Sequence, residues 1–198
     1  MKVFIKSIKN IDKIDEFKKI LDNDTKEKIE KIKKFEDQKR AIVSKLLLTD
    51  ILKINGYSFK DVVYNEYGKP YLRNNELYFN ISHSGDYVVC AISKYEIGID
   101  IQQIKKINDL IVQKKFTKDE QKYVFDDLSF TRVWTLKESY IKAIGKGLYQ
   151  KLDEVETIKN SQFSKIGNYQ FQSIIIDNYC LSICYNKQDR FKIEFEHI

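Results

Sequence analysis

The chain has 198 residues, 42% of them hydrophobic and 32% charged, which is enough apolar content to pack one large domain or two small ones. One proline and seven glycines leave no composition for a flexible linker or a disordered tract. The net charge of +6 directs attention to an anionic partner (nucleotide, nucleic acid, acidic protein or membrane surface), although lysine used only for solubility accounts for it equally well.

Residues 2–8 read as a strand. From Lys13 to about Ile54 the pattern is helical, with Ile42, Val43, Leu46, Leu47 and Leu48 on an apolar face and Asn55-Gly56 as the stop. Val62 to Tyr64 is a short strand, Glu66 to Tyr71 a turn, and Tyr78 to Ile81 with Tyr87 to Ser93 a hairpin around Ser84, Gly85 and Asp86. Ile97 to Ile101 is another strand. Helices are predicted near Asn108–Lys115, Thr117–Phe125 and Phe130–Ile144, then strands at Phe171–Ile176, Tyr179–Tyr185 and Phe191–Phe195. The opening residues hold too short an apolar run for a signal peptide, and no run approaches the length of a membrane-spanning helix. Cys90, Cys180 and Cys184 form no C-x-x-C pair and read as reduced, buried thiols; a zinc site is disfavoured. The expectation is a cytoplasmic protein.

Helix and strand interleave twice, and the two series overlay at an offset of about 92 residues. Thr25 to Glu27 then faces Thr117 to Asp119, Arg40 and Lys45 face Arg132 and Lys137, and Phe79 faces Phe171. The order of elements, more than the identities, points to a duplicated α+β fold with a boundary near Tyr95. Residues 1–95 and 96–198 are the expected halves.

Three segments carry chemistry. In Ile97 to Gln102, strand alternation puts Ile97, Ile99 and Ile101 on one face and Gly98, Asp100 and Gln102 on the other. That second face offers a carboxylate, an amide and a glycine that admits a close neighbour; alone, the segment reads as an edge strand with a solvated face. In Trp134 to Lys142, Trp134, Glu138 and Lys142 succeed one another at i, i+4 on a helix, with Lys137 at i+3 from Trp134. An ordinary amphipathic helix explains the Glu–Lys pair, worth a few tenths of a kcal/mol, but not a tryptophan among charges. In Phe79 to Gly85, His83 sits at a hairpin turn between Ser82 and Ser84, where it is either structural or a donor to phosphate. A Ser–His hydrolase is disfavoured because no G-x-S-x-G elbow occurs.

Asn80 to Ser84, Gly98 to Ile101, and Trp134 to Ser139 with Lys142 and Gly145 to Leu148 resemble, in order and spacing, the three motifs of the surfactin-type 4′-phosphopantetheinyl transferases. Gly68 to Pro70 resembles that family's stretch before the histidine, and Phe35 to Arg40 its N-terminal helix signature. The resemblance runs from about residue 25 to 150 and is specific as an ordered set.

The resemblance implies two similar, pseudo-symmetric halves, each a small antiparallel sheet packed with helices, with the active site between them. It implies an enzyme that moves phosphopantetheine from coenzyme A to a serine of a carrier protein and expels adenosine 3′,5′-bisphosphate. Asp100 and Glu138 are then Mg²⁺ ligands, a role suited to hard carboxylate oxygens beside substrate phosphates. Glu138 is also the candidate base, with Lys142 and Lys137 neutralising phosphate charge. Lys28, Lys31, Ser82 and His83 would surround the 3′-phosphate of coenzyme A, and Lys69 and Pro70 the adenine. Gln102 stands where relatives commonly carry Glu; its carbonyl could serve Mg²⁺ directly or orient a metal-bound water. The lysines and apolar residues of 103–116 suit docking of an acidic carrier, or the core of their own half. A monomer with no membrane or nucleic-acid partner is expected. Two rival readings stand beside this one: a basic nucleic-acid-binding protein, and a transferase-like binding protein without activity.

Overall fold

The fold is that of a computed structural model, which describes every residue except Asn10, Asp12, Lys13, Asn75, Arg190 to Ile193 and Ile198; the side chains of Leu148 and 194–197 are likewise not described. The expected helix start at Lys13 and the strand residues Phe191 to Ile193 therefore lie outside the described residues.

The first half opens with β1 (Lys2–Ser7). The helical stretch that follows is broken into α1 (Ile14–Lys19), α2 (Asn23–Glu30) and α3 (Phe35–Ile54). The break before α2 is made by Asp22, whose carboxylate accepts from the Thr25 backbone N–H at 2.9 Å and so caps a new helix. A short hairpin of β2 (Val62–Tyr64) and β3 (Pro70–Leu72) precedes β4 (Tyr78–Ser84) and β5 (Tyr87–Ser93). His83 belongs to β4, paired with Val88, and not to the turn as expected.

The second half repeats the pattern: β6 (Ile97–Gln103), α4 (Asp109–Lys115), α5 (Lys118–Tyr123) and α6 (Asp127–Ile144), then β9 (Tyr169–Ile176) and β10 (Tyr179–Asn186) after a small hairpin of β7 (Ile158–Lys159) and β8 (Gln162–Phe163). Helix α6 is set at both ends. Asp126 and Ser129 form a capping box at its start, and Gly145, at φ +68°, ends it in the left-handed conformation that glycine adopts without strain.

The first sheet has the order β11-β1-β5-β4 and the second β6-β10-β9. In both halves, therefore, the first strand pairs antiparallel with the last of the hairpin, as duplication requires. The exception is β11 (Glu194–His197), which returns from the end of the described chain to pair parallel with β1. Val3, Ile5, Val89 and Ala91 of the first sheet pack against Ile97, Ile99, Ile101, Leu181 and Ile183 of the second. On the outer faces, Val43, Leu47 and Leu52 of α3 cover Phe4, Val88 and Cys90, and Val133, Leu136 and Ala143 of α6 cover Phe171 and Cys184. The result is a layered α/β/β/α body held by alternation within each strand. All three cysteines are free and buried. Among the described residues, no helix is long and apolar enough to cross a membrane.

Candidate active site at the seam between the halves

Strands β4 and β6 run side by side where the sheets meet, and side chains join them. Strand β6 ends its sheet, so its outward N–H groups lack a neighbouring strand. Asn80 Oδ1 accepts from Ile99 N at 2.9 Å, Ser84 Oγ from Gln103 N at 3.1 Å, and Ser82 Oγ lies 3.5 Å from Ile101 N. Every second residue of β4 thus meets every second N–H of β6, which satisfies buried donors that would otherwise be costly. The solvated edge strand allowed by the sequence is not found: Ile97 through Ile101 are all buried.

Gly98 determines how close α6 lies to this strand. A Cβ at Gly98 would collide with the Ser139 carbonyl oxygen and the Ala143 nitrogen. The close approach that the glycine was read to permit is therefore made by the helix backbone. It carries Glu138 to the same cleft as Asp100, two residues along β6. The buried Asp100 accepts at Oδ1 from Ser82 Oγ (2.8 Å) and from Lys142 Nζ (2.6 Å). Lys142 also donates to Ser82 Oγ at 2.9 Å. Burial first, and the negative charge of Asp100 second, raise the Glu138 pKa above its ordinary value, with Lys142 opposing.

Two lobes open on this centre and share Ile81, Glu138 and Lys142. The smaller, about 460 Å³, is lined by Ala41 and Ser44 of α3, Ser82, His83, Asp100, Gln102 and Trp134. Although its surface is exposed, His83 sits deep enough among protein atoms that desolvation lowers its pKa, followed by the charges of Arg40 and Lys142, against Asp37. Arg40 is fixed there by a 2.7 Å bond to the Gly85 carbonyl and an ion pair with Asp37. The larger lobe, about 700 Å³, is lined by Lys69, Pro70, Lys114, Lys115 and the 150–153 segment among others. Lys69 Nζ donates to the Ala143 carbonyl at 2.6 Å and Asn65 Nδ2 to that of Gly145 at 2.9 Å. The turn before Pro70 thereby satisfies the carbonyl end of α6, where positive charge is favoured. Burial lowers the Lys69 pKa to about 8.

Of the residues singled out in the sequence, Asp100, Glu138, Lys142, Ser82, His83 and Trp134 meet at one centre, with Lys69 and Pro70 on the adjoining wall. Lys137 does not reach the cleft. It is wholly buried, 2.6 Å from Glu120, which is wholly buried too, and it donates to the carbonyls of Leu152, at 2.7 Å, and Val155. The phosphate-neutralising role expected of it is corrected to a structural one. Lys28 and Lys31 are exposed on α2 and its C-terminal cap and border neither lobe. Gln102 borders the smaller lobe. With both ends of its amide satisfied, its carbonyl accepts from Lys105 Nζ at 3.2 Å and Ser84 Oγ at 3.0 Å. Arg40 entered the sequence reading through the internal overlay and a helix signature; its place beside His83 had no local signal.

The donor set fits a divalent cation. Asp100 and Glu138 are hard oxygen donors in one cavity, and Glu138 accepts no hydrogen bond from any described residue, so a carboxylate is left for an outside cation. Among the described residues no group of three or more His, Cys, Asp or Glu could hold a metal, so two carboxylates would need further oxygens from a bound ligand to complete a cation's shell.

Comparison with known proteins agrees with this geometry. Residues 96–184 match the family model of the 4′-phosphopantetheinyl transferase superfamily, and residues 11–95 match that of the 4′-phosphopantetheinyl transferase N-terminal domain. The 4′-phosphopantetheinyl transferase gsp of Aneurinibacillus migulanus is 37% identical over 133 residues, covering 63% of this chain and 56% of the relative. The 4′-phosphopantetheinyl transferase Sfp of Bacillus subtilis is 36% identical over 140 residues, 64% and 62% of the two chains. The L-aminoadipate-semialdehyde dehydrogenase-phosphopantetheinyl transferase of Mus musculus is 33% identical over 177 residues, 77% and 57%. The matches thus span less than two thirds of the length of these relatives. The two family models together run from residue 11 to 184 and take in β4, β6 and α6, which form the seam between the halves, and the chain belongs to the 4′-phosphopantetheinyl transferase superfamily.

Proposed function

We propose that the protein transfers 4′-phosphopantetheine from coenzyme A to a serine hydroxyl of an acyl or peptidyl carrier protein, releasing adenosine 3′,5′-bisphosphate. The observation that carries this reading is the meeting of Asp100, Glu138 and Lys142 at the floor of a two-lobed cleft whose walls come from both halves. Mg²⁺, held by Asp100, Glu138 and the diphosphate, would supply charge neutralisation for phosphoryl transfer. Glu138, its pKa raised by burial, is suited to take the serine proton. Lys142 faces the transferred phosphate. His83, with Arg40 beside it, receives the 3′-phosphate, and Lys69 and Pro70 line the lobe that takes the nucleoside. Trp134 walls the smaller lobe.

The carrier is proposed to approach over α4. Ile111 and Val112 pack on the core of the second half, whereas Leu110 is 65% exposed and Lys114 and Lys115 border the larger lobe, a mixed apolar and basic surface that suits an acidic helix. Both walls of the cleft come from one chain, so we assign the activity to a monomer, and to the cytoplasm, where coenzyme A meets reduced thiols. The test is incubation with coenzyme A, Mg²⁺ and an apo carrier. A carrier mass gain of roughly 340 Da, that of added phosphopantetheine, is expected from this phosphoryl transfer. Coenzyme A binding with no mass change on any carrier would instead favour a binding protein without activity.

A further inference from the structure

The two carboxylates of the site are not equivalent. Asp100 Oδ1 is already neutralised: Lys142 Nζ lies 2.6 Å away, and Ser82 Oγ, which accepts from the same ammonium, donates to the same oxygen. Glu138, one helical turn before Lys142, has no such partner. A divalent cation held by both carboxylates would lie close to this ammonium whichever Asp100 oxygen it took, and repulsion between the two positive charges favours moving the ammonium off Asp100. The displaced ammonium is half-buried, and an uncompensated charge in such a place is unfavourable. Its other acceptor, Ser82, is a neutral hydroxyl. The exchange becomes favourable when an incoming ligand brings anionic oxygens that receive the ammonium and at the same time complete the shell of the cation.

We propose that Lys142 is a resident counter-ion on Asp100 that makes divalent-cation binding conditional on a diphosphate-bearing ligand: the ammonium passes from Asp100 to the diphosphate as the cation takes its place. Gln102, held by Lys105 and Ser84, adds no third acid that could capture a cation beforehand. This inference rests on reading the cleft as a coenzyme A site, and it concerns the order and coupling of binding, which that reading leaves open.

The test uses Mn²⁺ as the cation, followed by its electron paramagnetic resonance signal, titrated into the full chain with and without coenzyme A and corrected for Mn²⁺ held by coenzyme A in solution. In the wild type, coenzyme A is expected to tighten Mn²⁺ binding by roughly tenfold or more, within the 5–150-fold range usual for coupled sites. Lys142→Met should bind Mn²⁺ alone more tightly and show a coupling factor several-fold smaller than the wild type, the remainder being what the diphosphate oxygens supply directly, and adding Glu138→Gln to it should remove the gain. Lys142→Arg, which keeps the charge, should keep the coupling. Wild-type protein that binds Mn²⁺ equally well with and without coenzyme A overturns the proposal without need of any variant. So does a coupling factor as large in Lys142→Met as in the wild type. Because no carrier is present, the outcome is separate from the transfer reaction: coupling without transfer to any carrier would defeat the transferase reading alone, and transfer without coupling would defeat this one alone.

Discussion

Strands β1 and β6 hold equivalent places in the two halves, and their outer edges are closed in different ways. Beside β1 lies another strand, β11, paired backbone to backbone. Beside β6 lie the side chains of Asn80, Ser82 and Ser84. A backbone ladder sets strands about 4.8 Å apart and leaves no polar side chain between them. Side chains used as the acceptors hold β4 farther off and put hydroxyls within reach of Asp100. One scaffold, used twice, therefore gives an inert sheet edge in one half and a chemically equipped seam in the other. The short side chains at alternate positions of β4 decide which.

The largest test of that asymmetry is Glu138→Gln. If the chemistry lies on the α6 side of the seam, this variant should lose transfer by at least about two orders of magnitude, the usual weight of a positioned base. Coenzyme A binding, which the proposed function assigns also to His83, Arg40 and the larger lobe, should change only a few-fold. Carrier mass and a coenzyme A titration on the same preparation check both parts. Near-normal turnover would move the catalytic base elsewhere.

The second test sets two equivalent ion pairs against each other. Lys45 of α3 and Lys137 of α6 face one another across the duplication, and each pairs with an acid at the start of a preceding short helix. Lys45 is 3.6 Å from Asp22 with both partly exposed, whereas Lys137 is 2.6 Å from Glu120 with both at 0% exposure. Glu120 also accepts from Thr117 N and from Thr157 N and Oγ1, each at 2.8 Å. Removing one partner of such a buried pair costs about 3–5 kcal/mol, while exposed pairs contribute about 0–1 kcal/mol. Urea unfolding of Lys137→Met and Lys45→Met should show that order. Glu120→Gln added to Lys137→Met should recover part of the loss. Equal costs for the two lysines would mean that the second half uses its pair no differently from the first.

These residues also show where the sequence is informative. Strand alternation and helical spacing set Asp100 and Glu138 on polar faces, and Gly98 admitted a close neighbour, but bringing the two carboxylates together came only from the ordered motifs that resemble the transferases. Lys137 misled because its helical spacing from Trp134 suggests a shared surface, while Glu120 and the carbonyls of Leu152 and Val155 that bury it come from other segments. The β4–β6 stitching was invisible for the same reason: its period of two stands in the sequence, but its partners stand on another strand. Local signals were passed over as well. Asp22 and Thr25 spell the helix start that divides 14–54, and Asn160 and Ser161, at φ +50° and +60°, form the turn of a hairpin that asparagine favours.

The smallest expected effect concerns Lys69, a residue of the first half whose ammonium rests on the last turn of α6 in the second. Burial lowers its pKa from 10.5 to about 8, with Glu96 acting in the opposite direction. Between those two values the unfolded chain holds a proton on Lys69 that the folded chain has released. Stability attributable to this group therefore rises as the pH climbs from about 8 toward 10.5 and is flat, at its least favourable, below about 8. Lys69→Met removes the titration, so the wild-type-minus-variant difference in unfolding free energy should increase with pH across that window and show no slope below it. Subtracting the variant also cancels the tyrosines that ionise above this range, Tyr87 and Tyr169 among them. The contact with Ala143 leads to a further expectation: the α6 end should loosen in Lys69→Met, seen as faster amide exchange at Gly145, whose N–H bonds to Ile141. A difference that falls with pH would show that the ammonium is stabilised against the helix carbonyls more strongly than burial disfavours it, and Lys69 would then be a charged strap between the halves throughout the neutral range and beyond.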